Sequence, residues 1–267
     1  MSVQDLTAGT GGGRGRMGLL EAVGITKRFA GIVALDSVDL DVAHGEMVGL
    51  IGPNGAGKTT FFNCLLGMVR PDAGTVRLDG VDISGLPDYQ RARMGIGRTF
   101  QRLELFGGTT VRDHFLVTER RRNGSGSLWK DLLGRSAPSA EESERVDRMI
   151  DLLNLHAEAD EPVESLSLGR GRLVELGRAL MSQPKLLLLD EPSSGLDVKE
   201  TAALAERLRT VQAEHEFAVL LVEHDVEMVQ SLVTRLYVLD FGTMIAAGPT
   251  EDVLGDTAVR KAYLGDL

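Results

Sequence analysis

Residues 52–59 read GPNGAGKT, a loop whose composition suits wrapping backbone around a phosphate. In the spacing G-x-x-x-x-G-K-[ST], Gly52, Gly55 and Gly57 let successive N–H groups turn inward with no side chain in the way. Pro53, Asn54 and Ala56 complete the loop. Lys58 places a positive charge on the outer phosphates, the Thr59 hydroxyl can ligand Mg²⁺, and Thr60 opens the segment behind. The apolar run 46–51 reads as a strand and residues 60–69 as a helix. Strand, glycine loop and helix together aim a helix N-terminus at the anion.

A second set of acids lies far along the chain. LLLLDE (186–191) carries two carboxylates at the end of a buried apolar strand, the end where parallel sheets bind ligands. Asp190 is placed to hold Mg²⁺, directly or through water. Glu191 is placed as the general base for an attacking water. Other candidates take their meaning from order. LSLGRGR (166–172) offers the Ser167 hydroxyl and the N–H groups around Gly169 at a helix start, which suits a γ-phosphate; serine is also a common cap. Gln101, in GRTFQ, reaches Mg²⁺ or the lytic water, or is a surface glutamine. His224, ending LLVEH, bonds a γ-phosphate or is structural. Phe29 stacks on an adenine face or packs in the core. His44, His114, His156 and His215 show no ligand spacing.

These residues need a scaffold. LEAVGIT, VALDSVDLDV, EMVGLI and TVRLDG alternate as strands, with turns at 29–31, 44–45 and 71–74. From residue 186, strands LLLLDEP, FAVLLVEHD and RLYVLDFG alternate with helices at 198–212 and 226–232. That pattern predicts an α/β core with a mostly parallel sheet covered on both faces. The middle is helical instead, with Val146, Met149, Ile150 and Leu153 on one face. A core at 17–101 and 182–250 thus flanks a helical subdomain at 102–181. The subdomain carries an exposed insertion at 120–144, with a short amphipathic helix around 128–133. The arginines at 120–122 read as a solvated helix end. Residues 1–16 read as a disordered tail, and 251–267 as two short helices.

The 267 residues, 43% hydrophobic and 25% charged, can build a sizeable core. A net charge of −10 argues against a nucleic-acid partner. The single Cys64 excludes an internal disulfide, fits a reducing compartment, and reads as a small buried apolar residue. No apolar run approaches the roughly 20 residues that span a bilayer. A signal peptide's apolar stretch is also missing, so a cytosolic chain, or one on the cytosolic face of something else, is expected.

In this order, the motifs resemble the ATP-binding subunits of ABC transporters across residues 19–267. The resemblance implies a P-loop NTPase core with an inserted helical subdomain, ATP and Mg²⁺ as ligands, and two subunits closing head to tail. The glycine loop of one and the LSxG signature of the other would sandwich each ATP. Lys58, Thr59, Gln101, Asp190, Glu191 and His224 would act on one face, and Ser167 and Gly169 on the partner's nucleotide. SSGLD (193–197) would couple the two sites.

GIGRTFQ, RLELFGGTTVRDH, LLVEHDVEMV and AVRKAYLGDL are similar to the ATPase subunits of branched-chain (hydrophobic) amino-acid importers, the insertion to the larger of their two types. That similarity implies integral membrane permease subunits, a second ATPase subunit, and indirectly a solute-binding protein. It also implies a peripheral position on the inner face of the cell membrane. Urea or amide import, export, a soluble ABC ATPase without a permease, and a catalytically weak regulatory partner are the other readings. Arg170 stands where the family commonly has Gln, adding a cation near the interface, and Gly171 follows. Phe29 replaces the commoner Tyr.

Overall fold

Four consecutive leucines show how the molecule is layered. Leu186 and Leu188 join one hydrophobic cluster, with Val48, Leu50 and Leu220; Leu187 and Leu189 join another, with Ile51, Leu221 and Val238. Successive side chains on a strand point to opposite faces, so a strand covered on both sides reads as an unbroken apolar run. The computed structural model describes residues 18–99, 105, 107–123 and 138–264. The tail at 1–16, Gln101 and the helix expected around 128–133 lie outside them.

The strands are β1 (Leu20–Phe29), β2 (Ile32–Val42), β3 (Met47–Ile51), β4 (Ala73–Leu78), β5 (Val81–Asp82), β6 (Ile96–Arg98), β7 (Leu186–Asp190), β8 (Ala218–Val222), β9 (Arg235–Asp240) and β10 (Thr243–Pro249). Six of them form one sheet in the order β10-β9-β3-β8-β7-β6. It is parallel throughout except for β10, which runs antiparallel to β9 at the edge. The N-terminal strands build a separate antiparallel sheet, β2-β1-β4-β5. Alternation in the sequence located β1, β2 and β4 without assigning them to a second sheet, and it missed β5, β6 and β10.

Helix α1 (Lys58–Leu66) lies between the sheets. Its Phe61, Phe62, Cys64 and Leu65 pack with Leu20, Ile25 and Val76 of one sheet and with Val48 and Leu188 of the other. Burial pushes the Cys64 thiol up to about 11, which suits an inert core residue. A short α2 (Asp88–Arg93) leads into β6.

On the other face lie α3 (Val111–Asn123), α4 (Ala140–Leu153), α5 (Leu168–Met181), α6 (Val198–His215) and α7 (Val226–Leu232). Val146, Met149, Ile150 and Leu153 of α4 are all buried, as their spacing requires. Ser139 caps α4 by accepting from Glu142 N at 3.1 Å, and Glu142 returns the bond to Ser139 N at 2.8 Å. Helices α8 (Thr250–Gly255) and α9 (Thr257–Leu264) close the chain.

One expectation is corrected here. Helix α3 continues to Asn123, inside the stretch read as an exposed insertion, and its arginines are not simply solvated. Arg120 is buried, with Nε 3.5 Å from Glu142 Oε1. Arg122 bonds Glu119 at 3.0 Å and Gln183 at 2.8 Å. The neighbouring elements bring these acceptors to the run, and a charge count along the chain does not see them.

Candidate functional site

The chain leaves β3 at Ile51 and turns at once into the glycine loop. A Cβ on Gly52 would strike the Leu239 carbonyl oxygen, and one on Gly57 would lie 2.6 Å from Ala34 O. Gly57 also caps α1 at φ 103°, a conformation open chiefly to glycine. Close approach of β2 and β9 therefore demands glycine at these positions, independently of any ligand. Gly242 N donates to Ala56 O at 2.9 Å and ties the β9–β10 turn to the loop. Asn54, Gly55 and Thr59 are exposed, Pro53 and Thr60 half-buried, and Ala56 buried.

Lys58 is buried, and its ammonium donates to the loop's own carbonyls, Gly52 O at 2.6 Å and Pro53 O at 3.1 Å. Burial lowers its pKa, while the charges of Glu191 and Asp190 act in the opposite direction. Those two acids follow from β7, two strands away from β3 in the sheet. Burial, then the neighbouring Glu191 charge, raises the Asp190 carboxyl to about 6; Glu223 adds to this, against Lys58 and Arg98. Glu191 turns at φ 48°, its N–H donating to Val222 O at 2.8 Å. A non-glycine residue held there stores about 1 kcal/mol or more, a kind of strain that clusters at functional sites.

His224 follows β8 and is exposed, with Nδ1 3.7 Å from Glu223 Oε2. Sequence reading missed Glu223. It is fully buried; Oε1 accepts from Ser193 N at 2.8 Å and Oε2 from His224 N at 3.0 Å. One carboxylate thus links the loop after Glu191 to the backbone of His224. The available signal was an acid among apolar strand residues in LLVEH.

Ser167 and Gly169 sit elsewhere in the subunit. They line a groove with Asn154, Lys199 and Glu200, apart from the glycine loop. Ser167 caps α5, accepting from Arg170 N at 3.3 Å. Phe29 is 46% exposed, with Lys27 Nζ 5.3 Å above its ring, so core packing does not account for it.

The donor set fits a triphosphate with a divalent cation. The glycine loop offers backbone N–H groups and one ammonium to a phosphate, and around Asp190 the charges of Glu191 and Glu223 work against those of Lys58 and Arg98. Among the described residues, no three or more His, Cys, Asp or Glu side chains form a metal cage. No helix of the described residues is long and apolar enough to cross a membrane.

Glycine loop and strand-end carboxylates on a parallel sheet define a P-loop nucleotide-binding ATPase. The sequence model of the ABC transporter family matches residues 35–194. The high-affinity branched-chain amino acid transport ATP-binding protein LivG of Salmonella typhimurium is 39% identical over 251 residues, covering 93% of this chain and 98% of the relative. BraF of Pseudomonas aeruginosa, of the same description, matches to the same extent. LptB of Acidithiobacillus ferridurans, the ATP-binding protein of a lipopolysaccharide export system, is 36% identical over 248 residues, 93% of this chain and 97% of its own. Among solved structures, an ATP-binding cassette of an ABC transporter in its ADP conformation superposes with a TM-score of 0.80 at 31% identity, over 94% of this chain and 100% of that one. This chain belongs to the ABC transporter family as an ATP-binding cassette, a nucleotide-binding ATPase coupled to transport.

Proposed function

We propose that this chain hydrolyses ATP to drive import of branched-chain or other hydrophobic amino acids. It works as one of two ATPase subunits on integral membrane permeases at the inner face of the cell membrane, with a solute-binding protein delivering the solute. The observation that carries this reading is the 39% identity to LivG and BraF across 93% of this chain and 98% of theirs.

In this reading Lys58 exchanges the Gly52 and Pro53 carbonyls for phosphate oxygens, which are stronger, charged acceptors. The loop N–H groups of residues 52–60 hold the same phosphates. Thr59, Asp190 and Gln101 hold Mg²⁺, whose charge draws electron density from the γ-phosphorus when bound. Asp190 must be a carboxylate for this. Glu191 accepts the proton of the attacking water. His224 donates to the γ-phosphate, with Glu223 keeping its backbone in register with the loop after Glu191. Phe29 stacks on the adenine. Ser167 and Gly169 serve the nucleotide of a facing subunit.

The test is affinity capture from solubilised membranes. The tagged chain is expected to bring down multi-span permease subunits, and leucine with its binding protein is expected to stimulate ATP hydrolysis by the reconstituted complex. Absence of any integral membrane partner overturns the transport role; stimulation by a different solute class overturns the substrate. The LptB match over the same span supports export as a second reading. The identity of the captured permease separates the two.

A further inference from the structure

Glu200, in the first turn of α6, makes two connections with its two oxygens. Oε2 accepts from Asp197 N at 3.3 Å, the return half of a capping box in which Asp197 accepts from Glu200 N at 2.8 Å. Oε1 accepts from the Ser167 hydroxyl at 3.3 Å. Gly169 makes room for that second contact: a Cβ there would lie 2.7 Å from Oε1 and 2.9 Å from Cδ of Glu200. One carboxylate therefore bridges the N-termini of α5 and α6.

A serine hydroxyl has one proton to donate. Ser167 directs it at Glu200 while accepting from Arg170 N at 3.3 Å. A phosphate arriving at the same hydroxyl meets an anion already bonded there. We propose that Glu200 is a built-in competitor for phosphate at this serine. Ser167 is offered to the facing subunit's nucleotide only when the Glu200 carboxylate turns away, and that turn releases the return cap at Asp197 in the same movement. The inference rests on the reading that Ser167 and Gly169 serve a facing nucleotide. A groove of about 280 Å³ lies beside Glu200 and is also lined by Lys199 and Arg207, so the carboxylate has both space and cations to turn toward.

The experiment uses the full chain carrying Glu191→Gln, so that hydrolysis does not undo association. Light scattering follows ATP-dependent dimerisation, and fluorescent ADP reads nucleotide binding by the single subunit. Glu200→Gln keeps an acceptor for the cap and drops the charge. Glu200→Asp keeps the charge and falls one methylene short of Ser167. Each is expected to lower the ATP concentration for half-maximal dimerisation about three- to tenfold, with ADP affinity unchanged. In a Ser167→Ala background neither change has an effect. An unchanged or raised half-point in either variant that still binds ADP overturns the proposal, as does a lowering that persists without the Ser167 hydroxyl. If the Glu191→Gln parent binds ATP and never dimerises, the underlying reading of Ser167 and Gly169 fails instead.

Discussion

Arg170 Nε lies 2.9 Å from Glu158 Oε1, and the same guanidinium donates to Asn154 O at 2.9 Å. The cation expected near a dimer face is thus turned onto its own subunit, where it ties the first turn of α5 to the segment after α4. Removing it by Arg170→Gln is expected to cost about 1 kcal/mol of stability, read as a lower urea midpoint at unchanged slope. ATP-dependent dimerisation is expected to change by less than about threefold, or roughly 0.6 kcal/mol, since the guanidinium's bonds are already made within the subunit. A larger loss would place the guanidinium across the interface.

Asp190 is sensitive to pH in a defined direction. Its carboxyl is raised from 3.8 to about 6 by burial and by the neighbouring Glu191 charge, so the fold holds the proton more tightly than the unfolded chain does. The stability this contributes is present at low pH and is lost as pH climbs through about 6, a loss of up to about 3 kcal/mol. Asp190→Asn removes the buried charge. The nucleotide-free variant is expected to melt about 2–8 °C above its parent at pH 8, a gap that shrinks at pH 5. An equal gap at both pH values would mean that the charge is not the cause.

Glu191→Gln preserves shape at a strained position, φ 48°, and removes the base. Phosphate release is expected to fall about 10²- to 10⁴-fold with ATP binding retained. Turnover at the parent rate would assign the base elsewhere.

Gly177 sits where α5 meets α3 and α4. A Cβ there would lie 2.5 Å from Phe115 Cζ and 2.6 Å from Leu153 Cδ1. Alanine is the better helix former by about 1 kcal/mol, and overpacking costs about 1–3 kcal/mol. Gly177→Ala is therefore expected to destabilise the chain in urea, and Phe115→Leu in the same chain to recover part of the loss.

The legible part of this protein is the part written locally. GPNGAGKT and LLLLDE announce their chemistry because each does its work within a few residues of a strand end. The helix at Val226–Leu232 was readable from its own apolar pattern. Arg120, Glu223 and Glu200 were opaque for the opposite reason. Their partners lie 22, 30 and 33 residues away, and a polar residue looks solvated until something folds against it. The edge strand Thr243–Pro249 was missed because its half-exposed alternation, TMIAAGP, is weak.

By itself the sequence determined the family, the phosphate loop, the paired acids and the alternation of strands and helices, since backbone freedom at glycine and the period of apolar side chains are local properties. Tertiary structure alone decided which strands share a sheet, that Lys58 rests on carbonyls of its own loop, that Arg170 pairs with Glu158 and Asn154 of its own subunit, and that Glu200 bonds the Ser167 hydroxyl. Each of these is a contact that no local pattern of residue types reveals, set by how two hydrophobic clusters pack on opposite faces of one sheet.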